Sequence, residues 1–198
     1  RHGVPGVELD VRLCASEDVV VSHDPHLLRT VGVDTAIADL SANELARTDV
    51  GSWFHPSFSG EGVPMLSAVF ELLGDSVVYD LELKADHAKE PMRRLVQAVM
   101  AVVHRHGLAH RCIISSFNPI ALAWARRADS KTPTALIYSA EPGVPLAARR
   151  PIAHALLRNE ILKPGYARFE AEQARDKPPF PKVPRLVWTV DEAIQRSR

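Results

Sequence analysis

Short apolar segments rich in valine, isoleucine and leucine alternate with amphipathic helical patterns along the 198 residues of this chain. Such alternation is typical of βα units, in which parallel strands are joined by helices. The predicted strands span residues 7–13, 77–84, 112–116, 134–138, 159–163 and 185–189. The predicted helices span residues 66–73, 91–106, 119–128 and 166–175, and a further helix begins at residue 191. The pattern predicts an α/β fold with about six parallel strands in one domain, residues 1–198.

One segment departs from this alternation. Residues 19–22 follow the first strand after a short turn, so we expect an antiparallel hairpin there rather than a crossover. Residues 24–64 then form a long excursion rich in glycine and proline, and loops of this length in compact domains are usually functional. Ser41 followed by Glu44 predicts one short helix within it, because this spacing is a capping box. We therefore interpret residues 24–64 as a functional excursion rather than a standard crossover between strands.

The composition argues against several classes of partner. Lysine plus arginine balance aspartate plus glutamate at 24 each, so no basic surface for nucleic acid is indicated. No apolar run approaches the roughly 18 residues that a membrane-spanning helix needs. Cys14 and Cys112 fit no zinc motif. We interpret them as free thiols in a reducing compartment, which favours the cytoplasm.

Glu8 and Asp10 are the most informative polar residues. Side chains alternate across a strand, so the two acids share one face while the apolar residues of that strand share the other. Neighbouring carboxylates repel each other unless a proton or a cation lies between them. Because oxygen ligands suit calcium and magnesium, the pair predicts a divalent-metal site. For the pair taken alone, a solvated acidic face is the alternative.

Two further segments carry charged groups that fit such a site. Residues 80–84 repeat the alternation, so Glu82 and Lys84 share a face. Either they form an ion pair in a barrel interior, or Glu82 is a third metal ligand and Lys84 faces a phosphate. His23 ends the apolar run of residues 19–22, where an imidazole can exchange protons with whatever the metal holds.

Polar residues recur at the ends of the predicted strands. The carboxyl ends of parallel strands lie together, so these side chains are expected to meet at one rim of the sheet. They are Glu8, Asp10, Glu82, Lys84, Ser115, Ser116, Lys163 and Trp188.

Seven short motifs follow one another along the chain. They are residues 8–13 (ELDVRL), 20–25 (VVSHDP), 28–30 (LRT), 63–66 (VPML), 81–84 (LELK), 114–118 (ISSFN) and 187–191 (VWTVD). In order and spacing they resemble the glycerophosphodiester phosphodiesterase family. The resemblance implies a distorted (β/α)8 TIM-type barrel, with residues 19–64 as a small insertion beside the barrel mouth.

The resemblance also implies an activity, which is the metal-dependent hydrolysis of glycerophosphodiesters to glycerol 3-phosphate and an alcohol. Carried over motif by motif, Glu8, Asp10 and Glu82 are expected to bind a divalent cation, Ca²⁺ or Mg²⁺. His23 is expected to be one of two catalytic histidines.

Three more residues are implied to bind the substrate. Lys84 is expected to contact the phosphate, and Phe117 and Trp188 to form walls of the pocket. The expected partner is a small-molecule glycerophosphodiester. Homo-oligomerisation stays open.

The chain departs from the family pattern at both ends. The family begins with a strand that ends in a His-Arg-Gly-type motif, and its final strand ends in a segment rich in glycine, threonine and aspartate; residues 1–198 contain neither. We interpret residues 1–3 as the end of a helix that precedes the first visible strand, so the first and last barrel strands are expected to be missing from this sequence.

Two alternatives follow from these features. A relative that acts on lysophospholipids is expected to have an apolar channel near Trp53, Phe54 and Phe58. The missing second histidine favours a catalytically inactive, barrel-derived binding protein as the other alternative.

Overall fold

The computed structural model describes residues 3–84, 92–141, 144, 148–149, 151–175, 177, 179–188 and 190. These residues form a six-stranded sheet with strand order β2-β1-β3-β4-β5-β6. The strands are β1 (Gly6–Leu13), β2 (Val19–Val21), β3 (Val78–Leu83), β4 (Cys112–Ser116), β5 (Thr134–Tyr138) and β6 (Ile161–Pro164). Only β2 is antiparallel to its neighbour. The mostly parallel sheet confirms the α/β class and is consistent with a distorted (β/α)8 barrel.

Helices connect most of the parallel strands. They are α1 (Leu28–Val31), α2 (Ala42–Arg47), α3 (Leu66–Leu73), α4 (Met92–Arg105), α5 (Pro119–Ala128), α6 (His154–Leu157) and α7 (Tyr166–Gln173). Four of the predicted helices and the capping-box helix are therefore confirmed, although residue 91 and the helix expected from residue 191 lie outside the described residues.

The main core lies between one face of the sheet and the helices. Leu81 and Leu83 alternate along β3 and are buried against Leu95 and Val99, which recur at helical spacing on α4. Because these apolar side chains take one face of β3, the charged residues between them point to the other face. The alternation that builds the core thus also assembles the polar face of the sheet.

The predicted insertion begins with the expected hairpin, in which β2 pairs with β1. It has a small core of its own, in which Leu27, Ile37, Leu45 and Val63 are buried. At the start of α2 the Ser41 side chain accepts a hydrogen bond from the Glu44 amide, and the Glu44 carboxylate accepts one from the Ser41 amide. The insertion is held near the end of β1 by two other hydrogen bonds, from the Ala15 amide to the Leu40 carbonyl and from the Ala42 amide to the Ser16 hydroxyl.

The strand predicted at residues 185–189 is wrong over residues 185–188, which form no continuous strand; residue 189 lies outside the described residues. Arg185 forms an isolated parallel bridge to Leu162 of β6, and Trp188 forms another to Gly165, directly after β6. Pro164 lies between those bridges and has no amide hydrogen to donate, so the ladder is interrupted there. The segment nevertheless runs alongside β6 and places Trp188 near the end of that strand.

Two smaller observations complete the fold. Cys14 and Cys112 are both buried free thiols, as expected. Among the helices described, none is long and apolar enough to cross a membrane.

Candidate active site

Four carboxylates form two adjacent pairs on the polar face of β1 and β3. In the parallel register Glu8 lies beside Asp80, and Asp10 lies beside Glu82. We call Glu8 and Asp80 the lower acid pair and Asp10 and Glu82 the upper acid pair, since the upper pair is nearer the carboxyl ends of the strands. Two predicted ligands thus come from one strand and the third from its neighbour, as the alternation indicated.

Glu8, Asp10 and Glu82 converge closely enough to share one ion. Each offers a carboxylate oxygen, and the three oxygens lie within 4.8 Å of one another. Because Ca–O distances are near 2.4 Å, oxygens on opposite sides of a calcium ion lie roughly 4.8 Å apart. Hard oxygen donors are also what magnesium prefers. The donor set therefore fits a divalent cation.

The pKa of Glu8 is also consistent with a cation at this position. Burial raises its pKa, and the charges of Asp10, Glu82 and Asp80 raise it further, while Lys163 lowers it; the net effect is a raised pKa. Burial, together with the crowding of negative charge, therefore disfavours an ionised Glu8 unless a cation compensates the charge.

Lys84 follows β3 directly and neutralises part of the upper acid pair. Its Nζ donates to Glu82 Oε1 at 2.5 Å and lies 2.9 Å from Asp10 Oδ1. Burial lowers the pKa of Lys84, but the two carboxylates outweigh that effect and raise it overall. The ammonium therefore stays charged at the point where the acids converge.

The lower acid pair has a lysine of its own, for which sequence reasoning predicted no role. Lys163 Nζ lies 2.8 Å from Asp80 Oδ2 and 3.4 Å from Glu8 Oε1. Ser115 Oγ donates to Asp80 Oδ1 at 2.6 Å. Lys163 and Ser115 were expected at the rim, but their partner Asp80 was not singled out. Only the pairing across the sheet reveals the cluster.

Ser116, also expected at the rim, lies on the opposite face of β4. Its hydroxyl donates to the Leu83 carbonyl and accepts a hydrogen bond from the Asn118 amide. Successive residues of a strand cannot both face the same side, so the expectation for Ser116 was wrong.

His23 lies at the start of the insertion, where the chain leaves β2. The Ser22 amide donates to the Asp10 carbonyl, and the Arg12 guanidinium donates to the His23 carbonyl at 2.9 and 3.2 Å. These contacts fix the backbone around His23 beside the end of β1. Its side chain is 67% exposed and therefore accessible.

The His23 ring is held by a chain of charged groups. Nδ1 lies 2.7 Å from Asp24 Oδ1, and Arg29 Nε donates to Asp24 Oδ2 at 2.5 Å. Burial raises the pKa of Asp24, but hydrogen bonds from His23 and Arg29 lower it overall. Because the ionised carboxylate can only accept, His23 donates from Nδ1.

The acids, the two lysines and His23 line one open cavity of about 870 Å³. Phe117 and Trp188 also line it, with their rings edge to face and the centroids 5.7 Å apart. Trp188 Nε1 donates to the Lys163 carbonyl at 3.1 Å, which fixes the indole. The structure thus brings together the seven site residues that the family resemblance implies, which are Glu8, Asp10, His23, Glu82, Lys84, Phe117 and Trp188.

A smaller cavity of about 280 Å³ adjoins His23 on the side of the insertion. Trp53 and Phe54 line it and are largely exposed, and Phe58 contacts Phe54 at a centroid distance of 5.8 Å. Arg29 lies over the Trp53 ring at 4.7 Å. His23 lines both cavities, so the smaller, aromatic cavity adjoins the larger cavity at this residue.

Several known proteins are similar to this chain in sequence. A glycerophosphodiester phosphodiesterase from Caldanaerobacter subterraneus subsp. tengcongensis is 31% identical over 137 residues, which are 69% of this chain and 56% of that protein. A lysophospholipase D from Homo sapiens is 30% identical over 126 residues, covering 60% of this chain and 38% of that protein. The chain thus spans about half the length of the first curated relatives it matches.

A solved structure extends the match to the fold. The structure of an Oleispira antarctica phosphodiesterase in complex with the product sn-glycerol-3-phosphate superposes with a TM-score of 0.79 at 25% identity, covering 98% of this chain and 77% of that one. A model of the glycerophosphoryl diester phosphodiesterase family matches residues 1–195. With nearly its whole length matched, this chain belongs to the glycerophosphoryl diester phosphodiesterase family.

Proposed function

We propose that this protein hydrolyses glycerophosphodiesters to sn-glycerol 3-phosphate and an alcohol, with the help of a divalent cation. The observation that carries the proposal is the convergence of Glu8, Asp10 and Glu82 within 4.8 Å, in the cavity that His23 also lines. The relative from Oleispira antarctica supports it, because it holds sn-glycerol-3-phosphate.

The three carboxylates are the proposed ligands of a Ca²⁺ or Mg²⁺ ion. When bound, such an ion supplies Lewis-acid polarisation of the phosphate and of an attacking oxygen. The protein's part is to hold the oxygens in place, which the parallel register of β1 and β3 does for the upper acid pair.

Lys84 is the proposed phosphate contact. Its ammonium is a compact positive charge, held by Asp10 and Glu82 at the point where the acids converge. From there it can balance the negative charge that grows on the non-bridging phosphate oxygens during hydrolysis. Phe117 and Trp188 are proposed to wall the pocket in which the substrate lies.

His23 is the proposed acid–base group. Asp24 accepts from Nδ1, so Nε2 is the ring nitrogen that exchanges a proton with the reacting oxygens. When the bond between phosphorus and the leaving alcohol breaks, the alcohol oxygen needs a proton, which an imidazolium can donate. Proton transfer of this kind typically contributes ~10²–10⁴-fold to a rate.

The direct test is to measure the release of sn-glycerol 3-phosphate from several diesters, with and without a chelator. We expect release from at least one diester, loss of release with the chelator, and recovery when Ca²⁺ or Mg²⁺ is added back. Binding of the diesters without any release would instead support a catalytically inactive binding protein.

A second candidate substrate class is lysophospholipids. The exposed aromatic surface of Trp53, Phe54 and Phe58 favours it, because apolar side chains beside the reaction centre suit an acyl chain. The human relative named lysophospholipase D supports the same candidate.

A further inference from the structure

We propose that Lys163 is a positioning residue of the active site, which holds Glu8 in place for cation binding from the far end of the sheet. This inference rests on the proposed function, because it concerns the affinity for the cation. It starts from the observation that two lysines contact the four acids on β1 and β3, with one lysine for each acid pair.

Each acid pair is matched by one ammonium group. Lys84 contacts Asp10 and Glu82, and Lys163 contacts Glu8 and Asp80. The upper pair and Glu8 form the candidate ligand set, whereas Asp80 does not belong to it. Glu8 and Asp80 lie side by side in register, so their different roles must come from their other contacts.

Lys163 and Ser115 make those other contacts. Lys163 lies against one Asp80 oxygen at 2.8 Å, and Ser115 donates to the other at 2.6 Å. Both Asp80 oxygens are thus engaged within a buried cluster. Glu8 is much more exposed, at 45%, and the same ammonium reaches it at 3.4 Å. Asp80 is held in the cluster, while Glu8 remains available to a cation.

The contact to Glu8 crosses the interior of the fold. Lys163 lies on β6 and Glu8 on β1, with three strands between them in the sheet order. The Lys163 side chain is only 4% exposed, so packing fixes its ammonium. A long, half-exposed glutamate gains a defined position from such an anchor, and partners of metal ligands typically matter 10- to 100-fold for metal affinity.

A competing explanation is that Lys163 weakens cation binding instead of strengthening it. An ammonium beside a ligand carboxylate also repels an incoming cation, so a lysine that only neutralised Glu8 would weaken cation binding. The two accounts predict opposite signs when Lys163 is removed. If positioning dominates, affinity falls; if neutralisation dominates, affinity rises.

The test must avoid leaving a buried charge unpaired. Lys163→Met alone leaves Asp80 without its counter-charge and is expected to destabilise the fold. We therefore compare Asp80→Asn with the double variant Asp80→Asn/Lys163→Met, because an amide at position 80 can still accept the Ser115 hydrogen bond. A second double variant, Asp80→Asn/Lys163→Gln, is compared with Asp80→Asn in the same way. In it, the two side-chain amides can form a hydrogen bond to each other. Circular dichroism and thermal melting verify folding.

Isothermal titration calorimetry with Ca²⁺ and with Mg²⁺ is the readout. We expect the double variants to bind the cation roughly 10- to 100-fold more weakly than Asp80→Asn. Equal or tighter binding overturns the proposal. Tyr138→Phe is the matched control: it removes another buried hydrogen bond of the sheet, to Glu172, and is expected to leave cation affinity unchanged.

A second comparison separates positioning from general damage to the fold. In a Glu8→Gln/Asp80→Asn background, Lys163→Met is expected to have little further effect on cation affinity, because Lys163 acts through Glu8. A loss as large as in the Asp80→Asn background overturns the proposal. If the unmodified protein itself binds neither cation, the proposed function fails, and the role of Lys163 with it.

Discussion

Asp10 on β1 is the direct lateral neighbour of Glu82 on β3, and Lys84 Nζ contacts both carboxylates. The parallel ladder fixes the backbone of these two acids side by side. Their carboxylates therefore repel each other unless positive charge lies nearby. Such a pair of carboxylates attracts hard cations through its charge and its oxygen atoms.

His23→Ala is expected to lower turnover ~10²–10⁴-fold, because it removes the proposed proton-transfer group. Since the His23 side chain is largely exposed, the free energy of unfolding should change by less than about 1 kcal/mol. Steady-state kinetics and urea unfolding measure the two quantities. His104→Ala is the matched control, because His104 is also exposed and paired with an aspartate, Asp129. Normal turnover in His23→Ala would remove this residue from the mechanism.

Glu82→Gln is expected to weaken cation binding by roughly 10-fold or more, because it removes one ligand charge while keeping the side-chain shape. Calorimetric titration with Ca²⁺ or Mg²⁺ measures the change. Glu71→Gln on α3 is the control, since Glu71 is exposed and lines neither cavity. Unchanged affinity in Glu82→Gln would exclude this carboxylate from the ligand set.

Asp24→Asn is expected to show a stability loss that depends on pH. Burial raises the pKa of Asp24, but His23 and Arg29 lower it overall below its ordinary value of 3.8. A group with a lowered pKa stabilises the fold above its unfolded pKa, and this contribution is lost as the pH falls through the folded pKa. The variant should therefore be less stable at neutral pH, by up to about 1 kcal/mol.

Urea unfolding at a series of pH values measures this difference. The gap between the parent protein and Asp24→Asn should close as the pH falls below 3.8. A gap that persists unchanged in acid would show that the carboxylate charge is not what stabilises this segment.

Trp53→Ala and Phe54→Ala test the lysophospholipid candidate. If the aromatic surface holds an acyl chain, each variant should lower kcat/KM for a lysophospholipid roughly 10-fold or more, because buried apolar contact is lost. Activity toward a diester with a small polar head group should change little. Leu156→Ala, on the highly exposed Leu156 of α6, is the control for loss of surface apolar area. Equal losses on both substrates would contradict an acyl-binding role.

The parts of this site that depend on local alternation could be predicted from the sequence. Glu8 with Asp10, and Glu82 with Lys84, are two residues apart on strands, so their shared faces follow from strand geometry alone. The capping box of α2 is equally local. In each case the partners lie close along the chain.

The parts that depend on pairing between distant segments could not be predicted. Lys163 reaches Glu8 across 155 residues of sequence, and no local pattern specifies that contact. The failure of the strand at residues 185–189 is similar, because Pro164, which interrupts it, belongs to the neighbouring strand. The apolar residues of this segment indicate a strand. Only the missing amide hydrogen of Pro164 explains why a continuous strand does not form.

The proposed hydrolysis requires that Glu8, Asp10 and Glu82 together bind one divalent cation. A crystal of the protein soaked in a calcium salt, with anomalous scattering used to locate the ion, shows whether they do. We expect a single ion in the cavity, about 2.3–2.6 Å from a carboxylate oxygen of each of the three residues. A cavity without an ion, with these carboxylates turned toward solvent, would contradict it.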